Sequence, residues 1–263
     1  MIVLFLGDII GNPGRKCIEK GLSILVEEEK ADVIIANGEN AAGGIGITPE
    51  ISDYLLNLGI DVITSGNHIY KKKEIFDYLE KEPRLLKPAN YPPDTPGNGV
   101  YIFSNKKTNS LEVAVFNLCG RVFIDNFDCP FRAADKIISF ISQKTPIIIL
   151  DFHAEVTSEK MAMGWYLDGR VSAVIGTHTH VQTADERVLP KGTAYISDVG
   201  MCGPRNSVIG VKKEIIVERF INMLPQRFNV ADSDNWINGA VIDIDEKSGK
   251  ANSIKRISKK IYD

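Results

Sequence analysis

The four histidines of this 263-residue chain all stand at the close of short apolar runs: His68 in SGNHIY after DVIT, His153 in IIILDFHAE, and His178 with His180 in VSAVIGTHTH. Oxygen donors fall at matching places. Asp8 follows IVLFLG, Glu39 and Asn40 follow DVIIANG, and Asn67 directly precedes His68. Carboxylates, amides and imidazoles without a thiolate suit iron, manganese or zinc better than copper(I), and the histidines argue against magnesium or calcium alone. Asp8, Glu39, Asn40, Asn67, His153, His178 and His180 make seven donors, enough for two ions sharing a carboxylate. Two divalent ions about 3.5–4 Å apart can activate water and hold both oxygens of an in-line phosphoryl displacement. Two carboxylates and a hydroxide would offset three of the four positive charges. The remaining charge would attract a phosphodiester.

Each residue also has a plainer reading. Asp8 alone is most simply a turn former or helix cap, and Glu39 and Asn40 can be loop residues beside the flexible Gly43, Gly44 and Gly46. His68 can open a helix, and His153 can be a core histidine paired to backbone. The HxH pair at 178 and 180 resists such a reading, and the placement of all four histidines at strand ends favours the metal centre.

The elements that must present these donors follow from periodicity. Short apolar runs alternate with amphipathic ones: IVLFLG, then Pro13 to Glu29, DVIIAN, then Thr48 to Leu58, DVITSG, then Lys71 to Leu79. This is the pattern of strands joined by crossover helices, and it predicts a largely buried sheet. A hairpin, VYIFSNKKTNSLEVAVFNL, interrupts the rhythm. It resumes with a helix near Arg132 to Ser142, the strand PIIILDF, a helix near Ser158 to Leu167 and the strand VSAVIG. The tail adds TAYISD, a helix near Lys213 to Leu224 and a hairpin turned at Ser248 and Gly249. The expectation is one α/β domain over residues 1–263 with an antiparallel portion. In such sheets the carboxyl ends of the strands line one crevice, which is where ligands bind.

Composition narrows the partners. With 44% hydrophobic residues the chain can bury a substantial core, and its net charge of −3 comes from interspersed acids and bases. No basic block marks stable nucleic-acid binding, which leaves a small anionic substrate. The start MIVLFLGD reads as a core strand rather than a signal peptide, and no run approaches membrane-spanning length. Cysteines 17, 119, 129 and 202 show no disulfide-like spacing, which suits a reducing cytoplasm. The loop IGNPGRK lacks a P-loop ending, and Arg205 reads as an exposed loop residue. Both stay outside the predicted site.

The motifs carry a resemblance. GNH at 66–68, the histidine at 153 and GTHTH at 176–180 resemble the last three motifs of the calcineurin-like metallophosphoesterases, in their usual order. The first two depart: DII stands at Asp8 where DxH is usual, and GENAAG places Glu39 where an aspartate usually bridges. Those departures, with FLGDIIGNPGR, NGENAAGGIGIT, DFHAE and SDVGMCGP, are similar to the bacterial YmdB-like phosphodiesterases over essentially the whole chain. The resemblance implies a sandwich of mixed β-sheets flanked by helices. It further implies that Asp8, Glu39, Asn40 and His180 hold a first ion, Asn40 replacing the missing histidine. Glu39, Asn67, His153 and His178 hold a second, and His68 is the proton donor. The implied substrate is a cyclic nucleotide, 2′,3′-cyclic AMP above all, and the implied metals are iron or manganese, with zinc also admitted. A homo-oligomer is left open.

Three rivals stand beside this reading. A metal-dependent amidohydrolase is disfavoured because its HxH pair ends an early strand. A non-catalytic, metal-dependent nucleotide sensor has no use for His68. A purely structural α/β protein leaves the clustered histidines unexplained.

Overall fold

The computed structural model describes residues 1–108 and 110–262. In chain order it contains strands β1 Ile2–Leu6 and β2 Asp8–Ile9, helix α1 Gly11–Glu29, β3 Val33–Asn37, α2 Pro49–Asn57 and β4 Val62–Thr64. Two 3-10 turns and the one-turn helix α3 Phe76–Leu79 follow. Next come β5 Val100–Phe103, β6 Val113–Cys119, α4 Pro130–Ile141, β7 Ile148–His153, α5 Thr157–Leu167 and β8 Ala173–Thr177. The chain continues with β9 Arg187–Val188, β10 Ala194–Ile196, β11 Met201–Pro204, α6 Lys213–Asn222, β12 Asn235–Ile244 and β13 Ala251–Lys260.

These strands form two sheets rather than one. The first runs β2-β11-β12-β1-β3-β4, with β13 paired to β12; the second runs β5-β6-β7-β8-β10-β9. Both are mixed. In the first, β1, β3 and β4 are parallel while β12 is antiparallel to β1. In the second, β6, β7, β8 and β10 are parallel and β5 is antiparallel to β6, as the predicted hairpin requires. Asn109, in the predicted turn of that hairpin, lies outside the described residues.

The sheets face each other. Val3, Phe5 and Ile35 of the first share a core with Val115, Ile149 and Ile175 of the second. Alternate residues point outward, since successive side chains of a strand take opposite faces. Leu4, Leu6 and Ile34 thus meet Ile18, Leu22 and Leu25 of α1 and Leu55 of α2. On the far side, Phe116, Leu150 and Val174 pack on Ile138 of α4 and on Met163 and Leu167 of α5. Burial on both faces is why β1, β3 and β7 read as continuous apolar runs.

The segment expected to be one helix over Lys71 to Leu79 is instead broken. The 3-10 turns Ile69–Lys71 and Lys73–Ile75 flank an extended Lys72 at φ −111° and ψ 119°. Three consecutive lysines at a helix start oppose its dipole, and Ile69 and Ile75 must both reach the core. Among the described residues, no helix is long and apolar enough to cross a membrane.

Candidate metal centre

The carboxyl ends of both sheets' parallel strands meet at one edge, and the eight expected residues gather there. Asp8 opens β2, Glu39 and Asn40 follow β3, and Asn67 and His68 follow β4. From the second sheet, His153 ends β7 while His178 and His180 follow β8. Asp8, Glu39 and His153 are completely buried.

Glu39 is the hub. Its Oε1 lies 3.2 Å from both His153 Nε2 and His68 Nδ1 and accepts from the Asn40 amide at 2.9 Å. Its Oε2 accepts the His68 backbone N–H at 3.1 Å. Glu39, His153 and His178 each offer a ligand atom within 4.8 Å of the others. Burial pushes the Glu39 carboxyl up, but the imidazoles of His153 and His68 outweigh it and hold the carboxyl well below its ordinary range. Gly66 makes this convergence sterically feasible: a Cβ there would overlap the His153 ring and Glu39 Oε2.

Asp8 and His180 form a second focus. His180 Nε2 lies 3.6 Å from Asp8 Oδ1, and Asp8 Oδ2 accepts the His178 backbone N–H at 3.2 Å. Burial lowers the His180 imidazole, but its pairing with Asp8 prevails and raises it to about 9. His178 goes the other way, to about 3, through burial and repulsion from His153. Asn40 joins the foci, with its Nδ2 3.2 Å from His180 Nε2 and its Oδ1 accepting from His68 Nδ1 at 2.9 Å. To ligate a metal through oxygen, this amide has to turn over.

Buried atoms without partners test whether a metal fits. Asp8 Oδ1 and Asn67 Oδ1 are both buried and have no hydrogen-bond partner among the described residues. A buried oxygen left unpaired costs about 1–3 kcal/mol, and at a strand-end cluster of imidazoles a cation is the partner that meets both. The residues therefore fit divalent ions.

Further residues that the sequence reading did not assign orient these groups. Thr177 Oγ1 donates to Asp151 Oδ1 at 2.7 Å, so at 2.9 Å it accepts from His153 Nδ1, which turns Nε2 toward Glu39. His180 Nδ1 donates to the Ile209 carbonyl at 2.9 Å, which turns its Nε2 toward Asp8. Such outer hydrogen bonds set the tautomer of ligating histidines. His178 Nε2 meets the half-exposed Glu155 at 3.0 Å. Asp198 Oδ2 accepts from Lys160 Nζ at 2.7 Å and from the backbone N–H and hydroxyl of Thr179 at 2.9 and 2.8 Å. The signal for Asp151 was present, because strand alternation puts it on the same side as His153. Arg205 lies outside this cluster and stacks on Trp236 at 4.3 Å.

The donors open into a cavity of about 680 Å³ that reaches Glu39, Asn40, His68, His178 and His180. A family model described as YmdB-like protein matches residues 4–257. A 2′,3′-cyclic-nucleotide 2′-phosphodiesterase of Bacillus subtilis (strain 168) is 51% identical over 258 residues, 98% of this chain and 96% of that protein. A crystal structure of a hypothetical protein from Thermus thermophilus is 37% identical with a TM-score of 0.91, and covers 99% of each chain. Another, of a novel phosphatase from Mycoplasma pneumoniae, is 33% identical with a TM-score of 0.92, over 99% of this chain and 93% of that one.

Proposed function

The chain belongs to the family of YmdB-like proteins and is a phosphodiesterase, and on that premise we propose that it opens 2′,3′-cyclic nucleotides with two divalent metal ions at the strand ends. Its two mixed sheets with flanking helices are the metallophosphoesterase sandwich. The observation that carries the proposal is the pair of orphaned oxygens, Asp8 Oδ1 and Asn67 Oδ1, beside the cluster of Glu39, His153 and His178. Glu39, Asn67, His153 and His178 would hold one ion; Asp8, Glu39, Asn40 and His180 would hold the other. Bound there, the ions supply an activated water and neutralise charge building on the phosphoryl oxygens. The thiolate-free donor set suits iron, manganese or zinc, and the family resemblance favours the first two. Cys17, Cys119, Cys129 and Cys202 form no disulfide among the described residues, which accords with a cytoplasmic setting.

The chain's own groups then handle the leaving oxygen. His68 lines the cavity, and its Nδ1 lies 3.2 Å from Glu39 Oε1, which leaves Nε2 for the substrate. As water oxygen adds to phosphorus and gives up a proton to solvent, the bond from phosphorus to one ribose oxygen breaks, and His68 delivers its Nε2 proton to the departing alkoxide and regains one from solvent. The ring opens to a nucleoside monophosphate.

Rates on 2′,3′-cyclic AMP, 3′,5′-cyclic AMP and adenosine monophosphate, each with manganese and with a chelator, test this reading. Metal-dependent opening of the 2′,3′ ring should be fastest. A faster rate on the monophosphate would overturn the substrate class, and an undiminished rate in chelator would overturn the metal requirement.

A further inference from the structure

The cavity that holds the metal-binding groups has a second, apolar wall that the hydrolytic chemistry does not use. Ile209, Ile216, Phe220 and Phe228 line it, and Arg219 is the sole lysine or arginine among the described lining residues. Ile209, Phe220 and Phe228 are 49%, 76% and 48% exposed, although each is large and apolar. An open apolar surface of this kind, continuous with an ionic centre, marks a place where a ligand is covered.

This wall is constructed rather than loose. Val208 and Val211 exchange backbone hydrogen bonds of 2.9 and 3.0 Å around Ile209 and Gly210, closing a tight turn. Gly210 accepts from Ala231 N–H at 2.9 Å, and Lys212 N–H donates to Asn229 at 2.9 Å, which ties the turn to the segment carrying Phe228. Ile209 sits at φ 48°, a left-handed conformation that is unfavourable for a β-branched residue. Strain of this kind persists only where surrounding structure enforces it, and it gathers at functional sites. Here one strained residue does two things: its carbonyl orients His180, and its side chain faces the cavity. The Arg219 guanidinium lies 5.0 Å from the centroid of the Phe228 ring and steadies that ring as a cation over its π-face.

We infer that this wall is the nucleobase subsite, with Phe228 and Phe220 as stacking surfaces and Ile209 as the floor next to the metal-binding groups. The inference rests on the reading that the substrate is a 2′,3′-cyclic nucleotide. With the cyclic phosphate among the strand-end residues, the ribose spans outward and the base needs an apolar face in the same cavity. Apart from Arg219 this wall carries no charged or amide side chain, so it reads a base by its π-face rather than its edge. Stacking of that type tolerates every base, favours the larger rings of purines, and changes affinity by about 5- to 100-fold per aromatic partner. The subsite should therefore prefer purines to pyrimidines and discriminate little between adenine and guanine.

The test is the ratio of kcat/KM for 2′,3′-cyclic AMP to that for glycerol 1,2-cyclic phosphate, a five-membered cyclic diester without a base. The ratio should fall about 5- to 100-fold in Phe228→Ala, less in Phe228→Tyr, and again in Phe220→Ala, with thermal unfolding unchanged because both side chains are exposed. An unchanged ratio would overturn the subsite, including when both substrates slow equally. A change in oligomeric mass with an unchanged ratio would assign the wall to contact between copies instead. If the wild-type protein turns over the base-free diester without favouring the nucleotide, the subsite fails while the phosphodiesterase reading stands. If it opens neither, the substrate reading fails and the subsite falls with it.

Discussion

At the residue scale, Glu39 and His68 illustrate how neighbours with overlapping contacts separate into different roles. Among the described residues Glu39 is the only carboxylate that touches His153, His68 and Asn40 together, so removing it disconnects both foci. Metal analysis of Glu39→Ala should show loss of both ions; two fully retained ions would refute a shared ligand. His68 contributes its ring from the cavity side, and ion content should not depend on it. In His68→Ala, kcat for a ribose-leaving diester should drop about 10²- to 10⁴-fold, the usual contribution of a general acid. The loss should shrink with a nitrophenolate leaving group, which departs without a proton. An equal loss for both leaving groups would count against the acid role. These side chains were legible as chemistry because their types and positions are local facts. Gly66 was not, since the collision it avoids involves residues 27 positions upstream and 87 downstream.

At the scale of elements, the His178–His180 loop is held in a conformation it would not choose. His178 and His180 lie at φ 103° and 64°, the left-handed region that non-glycine residues avoid. Between them, Thr179 donates twice to Asp198, which follows β10, and Lys160 of α5 neutralises that buried carboxylate. Asp198→Asn keeps the shape but weakens this grip. Metal titration against a competing chelator should give an affinity lower by about 10- to 100-fold, the usual effect of losing an outer-shell partner, while circular dichroism stays unchanged. Undiminished affinity would show that the loop holds itself. Lys160→Met leaves the Asp198 charge buried without its cation and should destabilise the fold by about 3–5 kcal/mol in denaturant titration. Sequence reading found the strand before Asp198 but had no means to pair residues 160, 179 and 198, because β8, α5 and β10 become neighbours only in the folded sheet.

At the scale of the whole molecule, the proposed metal ligands come from both sheets: Asp8, Glu39, Asn40 and Asn67 from one, His153, His178 and His180 from the other. A ligand shared between two sheets stabilises the folded state alone. At a hundredfold excess over its Kd it contributes about 2.7 kcal/mol, worth roughly 5–10 °C in a chain of this size. Scanning calorimetry should show a Tm that rises by that amount on manganese loading and returns with chelator. A Tm indifferent to metal would mean that the donors do not bind it as a cross-sheet clamp.

The order of strands and helices, the placement of donors at strand exits and the closing hairpin were determined by the sequence itself, since each depends on periodicity within a few residues. Tertiary structure decided what periodicity cannot carry. A strand buried on both faces looks the same to periodicity in one sheet or in two facing sheets, so beyond the sandwich that the resemblance implied, the fold alone assigns β5–β10 to one sheet, returns β11–β13 to the other and sets Val3 and Phe5 against Val115 and Ile149. Likewise the apolar residues of α6 read as an ordinary amphipathic face. Only the fold, which brings Ile209 and Phe228 beside them and leaves Phe220 open to the donor cavity, makes them part of a site, because burial is a property of the folded surroundings and not of the residue.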